Sequence, residues 1–193
     1  LMDFFNFIPI YLSETVGIKP GQAAIAGSAF PAGMFVALIA CGIFYDRLSK
    51  RQLVWAVGGL LVLSCCCVLM LWSLPSLHLA ASLKLPAAVI PIFLFGFSIS
   101  PAYYIPMSVF SIAFGGKHSG FLIALVDVFG YTGAFLFNFF GGSIAQNQGW
   151  PTFLASLLAV AILALVTLTM FLHLEYKSAK KTRARHSYPD ASA

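Results

Sequence analysis

The chain predicts an all-α polytopic membrane protein, and three observations carry that prediction. The first is composition. Of 193 residues, 60% are hydrophobic and only 9% are charged, with a mean hydropathy of +0.92. A soluble domain carries about 25% charged residues, so apolar chain on this scale needs lipid to cover it. The second is run length. Residues 22–45 and 53–74 contain no formal charge, and roughly 20 apolar residues rising about 1.5 Å each cross a hydrocarbon core. The third is that the charges gather at the ends of such runs. Helices follow because each lipid-embedded span must satisfy its own backbone hydrogen bonds. The formal net charge of +5 does not point to nucleic acid, since the basic residues sit at span ends and not on one face of a fold.

Taken in order, the predicted helices cover residues 1–16 (a partial span), 22–45, 53–74, 86–114, 121–145 and 150–174. Polar or Gly- and Pro-rich linkers at 17–21, 75–85, 115–120 and 146–149 separate them. Trp55 and Trp72 flank one span and Trp150 opens another, where interfacial anchors belong. Residues 1–174 therefore read as one transmembrane bundle, and 175–193 as a basic, disordered tail. The first segment is short for a span and shows no basic n-region or cleavage site. It reads as the end of a helix whose beginning lies upstream, with a truncated chain as the alternative.

Charge sets the expected sidedness. Strict alternation puts the 46–51 turn, the 115–120 linker and the tail on one side. Those places hold Arg47, Lys50, Arg51, Lys117, Lys177, Lys180, Lys181, Arg183 and Arg185, against Lys19 and Lys84 on the other. By the positive-inside rule the first set, and the tail with it, is cytoplasmic.

The turn between the two uncharged runs reads GIFYDRLSKR, with Gly42, Asp46, Arg47, Lys50 and Arg51 in a G-x-x-x-D-R-x-x-K-R pattern. That pattern resembles the signature loop of the major facilitator superfamily of transporters, which joins the second and third helices of each six-helix half. The resemblance implies that this chain is the C-terminal bundle, from a partial helix seven to helix twelve. It further implies an N-terminal six-helix half as partner. Within the superfamily, MDFFNFIPIYLSETVG, GQAAIAGSAFPAG and SGFLIALVDVFGYTGAF look similar to organophosphate:phosphate antiporters and sugar-phosphate exchangers. The phosphate-binding arginines of that subfamily lie on helix one and earlier on helix seven, and no residue here corresponds to them. The resemblance also implies a role for the loop. Asp46 would dock on the positive N-terminus of helix eleven and latch one conformation, Gly42 would permit close approach, and the three cations would hold the headgroup layer. The alternative is that these charges only set topology.

Two ladders of small residues recur every four positions: Ala29, Gly33, Ala37 and Cys41 on helix eight, and Gly130, Ala134, Asn138 and Gly142 on helix eleven. Such ladders let transmembrane backbones approach, for sliding or for plain packing. Helix ten is expected to be irregular. Pro91, Pro101 and Pro106 each remove a backbone donor, and Ser98, Ser100, Tyr103, Tyr104 and Ser108 supply polar groups around them. Interrupted helices expose backbone to solute in transporters, so Tyr103 and Tyr104 are candidates for the solute path, or else structural aromatics.

Asp127 stands two turns into helix eleven with no charge near it in sequence. A carboxylate in a span is costly and usually faces a cavity. It is a candidate proton site, and it departs from the organophosphate pattern, where a small residue is expected. Asp3 is a similar candidate on the cut helix. Tyr131 and Asn138 are expected to share the face of Asp127 only in part.

Enzyme chemistry is not indicated. His78, His118, His173 and His186 are scattered without metal spacing, and Cys41, Cys65, Cys66 and Cys67 read as small apolar fillers. No phosphate-binding loop for ATP is present, and no cofactor is implied. The expected function is secondary-active transport of a small solute by alternating access. The solute is expected to be an organic anion, and the resemblance implies a phosphorylated one. A proton-coupled carrier of another solute using Asp127 is the first competitor, and a non-transporting membrane protein the second.

Overall fold

The computed structural model describes residues 4–44, 47–77, 79–105 and 115–186. Among them there is no strand, and seven helices follow one another: α1 (Phe4–Tyr11), α2 (Pro20–Gly27), α3 (Ala29–Phe44), α4 (Lys50–Ser73), α5 (Ala81–Tyr104), α6 (Ser119–Gln148) and α7 (Trp150–His186). A π-helical turn, Leu12–Val16, extends α1, and short 3₁₀ turns follow α4 and precede α6. Five stretches are long and apolar enough to cross a membrane: Pro20–Phe44, Arg51–Ser76, Ser82–Tyr104, Gly116–Gln148 and Trp150–Phe171. The all-α polytopic class is what the sequence predicts.

The helix ends follow local chemistry. Pro20 opens α2 at the first helical position, where its missing N–H would have no partner anyway. The break between α2 and α3 falls at Gly27 and Ser28. Pro31 cannot donate to the carbonyl four residues back, so the ladder is interrupted there and one predicted span becomes two helical pieces. At α4 the Ser49 hydroxyl accepts from the Gln52 amide at 3.3 Å, and the Gln52 side chain accepts from the Ser49 amide at 2.9 Å. This capping box ends the turn and fixes the start of the helix.

Three boundaries differ from expectation. Helix α5 begins at Ala81, five residues before the predicted start, because Pro86 lies early enough to forfeit only one bond near the helix start. It then runs unbroken through Pro91 and Pro101 to Tyr104, so the interruption expected around those prolines is not seen. Pro106 and Ser108 lie outside the described residues. The last helix continues past residue 174 to His186, where the sequence predicts a disordered tail. Ala, Lys and Arg propagate a helix readily, and a preceding span provides the nucleus that an isolated segment lacks.

Helix α5 is the centre of the bundle. Half of its best apolar window is buried, against none of the window in α6. It packs on α3 through a reciprocal glycine contact. A Cβ on Gly33 would stand 2.1 Å from the Phe93 carbonyl oxygen, and one on Gly96 would stand 2.1 Å from that of Phe30. Only residues without a side chain let these backbones touch. The helix-eight ladder is thus real packing, with Gly33 and Ala37 buried. The helix-eleven ladder is not. Nothing described lies within 4 Å of a Cβ on Gly130, while Gly142 meets only the rim of Phe7.

One end of the bundle is tied by side chains from four elements. The Tyr11 hydroxyl donates to the Leu71 carbonyl, the Lys84 ammonium to the Val16 carbonyl at 3.0 Å, and the Trp150 indole N–H to Glu14 at 2.9 Å. The ends of α1 and α4 and the starts of α5 and α7 therefore meet at one end. Phe153 gathers Phe7, Phe137 and Trp150 around itself at centroid distances of 5.0, 5.6 and 5.6 Å. Gly141 makes room for it, since a Cβ there would stand 3.1 Å from the ring.

Candidate functional site

Helix α6 presents two different faces. At about 100° per residue, positions 131, 134 and 138 fall within roughly 40° of Asp127. Asp127, Tyr131 and Asn138 therefore share a face, more fully than the sequence reading expected. Asp127, Ala134 and Asn138 are half-buried and Gly141 is buried. The far side carries exposed Phe129, Leu136 and Phe140. Asp127 and Asn138 thus stand on the more covered side of the helix, while Tyr131 on the same face is as exposed as the aromatic groups of the far side. That is the arrangement expected of a costly carboxylate within a span.

Across from this face, near the end of α5, the Tyr103 hydroxyl donates to the Asp127 carboxylate at 3.2 Å. The two residues are 24 apart in sequence, and the pair ties α5 to α6. A charge-assisted O–H···O⁻ bond is ordinarily 2.5–2.7 Å. At 3.2 Å the contact is loose, and Tyr103 is 39% exposed. Tyr131 is exposed one turn further along α6, and Tyr104 is half-buried beside Tyr103 without joining the pair.

The remaining predicted positions divide as follows. Asp3 and Asp46 lie outside the described residues. Arg47 and Arg51 are exposed, Arg51 in the first turn of α4, and Lys50 is the first residue of that helix. The close approach expected at Gly42 is not seen. Among the described residues, nothing stands within 4 Å of a Cβ there. It falls instead on Gly33, a member of the helix-eight ladder, and on Gly96, whose signal in the sequence was only a glycine inside an apolar run. The Ser49-Lys-Arg-Gln52 capping box carries its own signal in the sequence, a serine followed three residues later by glutamine ahead of an apolar run. No spacing pairs Tyr103 with Asp127 or Glu14 with Trp150. No group of three His, Cys, Asp or Glu side chains with metal-binding geometry occurs among the described residues.

A bundle of five membrane-length apolar stretches without a strand among the described residues defines a polytopic α-helical membrane protein. The Major Facilitator Superfamily model matches residues 2–191, and the chain belongs to that family. It is accordingly a secondary membrane transporter by family, and such transporters are generally not enzymes. No curated protein and no solved structure matches the chain.

Proposed function

We propose that this chain forms one wall of a proton-coupled secondary transporter, with Asp127 carrying the proton and Tyr103 holding its carboxylate between transfers. The observation that carries the reading is the Tyr103–Asp127 contact, which sets a half-buried carboxylate on the inward face of α6 against a hydroxyl from α5. A small solute would bind along the stripe formed by Asp127, Tyr131 and Asn138. An N-terminal six-helix half would close the opposite wall, with the tail and the Arg47–Arg51 turn on the cytoplasmic side. In this scheme Asp46 is the conformational latch.

An organic anion, such as a sugar phosphate exchanged by antiport, remains the second reading on the strength of the three resembling segments. This chain offers it little. Among the described residues the Lys and Arg side chains stand at span ends, and the Lys84 ammonium is engaged by the Val16 carbonyl. The anion would have to be held by cations of the other half.

The test needs no knowledge of the solute. In a background with Cys41, Cys65, Cys66 and Cys67 replaced, Asp127→Cys, Tyr131→Cys and Asn138→Cys should react with a membrane-impermeant thiol reagent. Leu136→Cys, on the far side of α6, should not. Protection of the three positions as complete as that at 136 would show that the stripe does not line a water path.

A further inference from the structure

Helix α6 is held to the bundle at two places of different kind. The first lies toward its C-terminal end. Its apolar side chains that pack on the buried core are Phe137, Ile144 and Ala145, and among the described residues 119–136 supply none. There the Phe153 ring of α7 stands 5.6 Å from that of Phe137. The edge of the same ring fills the space beside Gly141, 3.1 Å from where a Cβ would stand. This contact is apolar and closely fitted, so it does not answer to charge.

The second place is the Tyr103–Asp127 bond to α5. Asp127 lies 14 residues before Gly141, about 21 Å along the helix axis. Around it the packing is open. Among the described residues, nothing stands within 4 Å of a Cβ on Gly120, Gly130 or Gly133. The chain enters α6 through Gly115 and Gly116. Gly116 has a φ of 48° and open space around it, a backbone on which the start of a helix can turn without a side chain in the way. The N-terminal arm of α6 thus has a joint at its beginning, one polar tie along its length and a tight apolar seat beyond it.

We propose that α6 is a lever, with the Phe153 ring seated on Phe137 and Gly141 as its fulcrum and the Tyr103–Asp127 bond as its releasable tether. While the carboxylate is charged, the tether holds the N-terminal arm against α5. Once it is neutral, that arm swings away from α5 and the fulcrum stays closed. Resting on Asp127 as the proton carrier, the lever turns a protonation into a helix movement. Charge-assisted hydrogen bonds are roughly twice as strong as neutral ones. A neutral carboxyl also bears a smaller penalty for leaving its partner within a span. Among the described residues, the titratable side chains facing this site are the phenols of Tyr103 and Tyr131, and phenols stay neutral through the acidic range. The carboxylate is therefore the group that acid changes.

The experiment uses the purified 193-residue chain in detergent, with Cys41, Cys65, Cys66 and Cys67 replaced and spin labels on one of two cysteine pairs. Phe44→Cys with Leu125→Cys spans from the end of α3 to the N-terminal arm of α6. Leu83→Cys with Gln148→Cys spans from the start of α5 to the far end of α6. All four side chains are exposed. Pulsed EPR reads each distance at neutral pH, on acidification, and in Tyr103→Phe and Asp127→Asn. Each substitution should lengthen and broaden the 44–125 distance at neutral pH and leave the 83–148 distance unchanged. Acid should do the same to the parent protein and add nothing to Asp127→Asn. A 44–125 distance untouched by both substitutions would overturn the lever, whatever acid does. Equal broadening of both pairs would overturn the fulcrum and with it the lever. A response to both substitutions but not to acid would uphold the lever and count against Asp127 as the proton carrier. Neither Tyr103 nor Asp127 is in the core, so melting curves of both variants should overlay that of the parent.

Discussion

At position 33 a methyl group has nowhere to go. A Cβ there would sit 2.1 Å from a backbone oxygen of α5, and the same holds at position 96 against α3. Backbone cannot swing aside as a side chain can, so the two helices must separate. Overpacking of this kind typically costs 1–3 kcal/mol, and occasionally more. Gly33→Ala and Gly96→Ala should therefore each lower the melting temperature in detergent clearly. Gly130→Ala, with open space around it, should be neutral or slightly stabilising, since alanine is the better helix former by about 1 kcal/mol. Equal effects at 33 and 130 would mean that α3 and α5 do not touch through their glycines. The small-residue ladder on helix eight and the one on helix eleven look alike in sequence. What separates them is whether a partner helix arrives, and no local pattern records that.

Between the uncharged runs, the turn and the first turn of α4 form a unit whose ends are set by hydrogen bonds. Ser49→Ala removes the acceptor for the Gln52 amide. Loss of an N-cap costs about 1 kcal/mol, and amide exchange at the start of α4 should accelerate while the middle of the helix stays protected. Unchanged exchange there would show that the cap does not hold the helix end. The proposed latch acts at the same scale. A carboxylate at an exposed helix N-terminus contributes about 0.3–1 kcal/mol, small against the stability of a bundle but enough to shift a two-state equilibrium about twofold to fivefold. Asp46→Asn should leave melting nearly unchanged while altering the reactivity of a cysteine at position 103. An unaltered pattern would return the turn to a topology signal. At this scale the sequence was most legible, because span length and charge-free runs are direct physical requirements of lipid. The misplaced ends were those where proline or a basic composition argued for a stop. Pro86 sat early enough in α5 to be absorbed, and residues 175–186 extended an existing helix and did not have to nucleate one.

For the whole molecule the telling asymmetry is between α5 and α6. Half of the apolar window of α5 is buried and none of that of α6 is. Yet α6 carries Asp127 and Asn138 on its inward face, with only the Tyr103 hydroxyl bonded to the carboxylate among the described residues. A carboxylate near the edge of a bundle cannot face hydrocarbon without a large penalty. The sequence made Asp127 legible as an isolated charge, but not its partner 24 residues away, because helix-to-helix contact depends on how whole spans pack. A solute bound along this stripe would have one protein wall and one open side. Alternating access needs two walls that rock against each other. Purified and placed in liposomes by itself, the 193-residue chain should therefore give no uptake above protein-free controls. The assay would present labelled sugar phosphates and other organic anions, with and without an imposed pH gradient. Supplying a facing six-helix half should restore both uptake and its dependence on Asp127. Uptake by the single bundle would mean that the described helices, by themselves or as a pair of identical chains, already enclose a path, and the two-half reading would have to be abandoned.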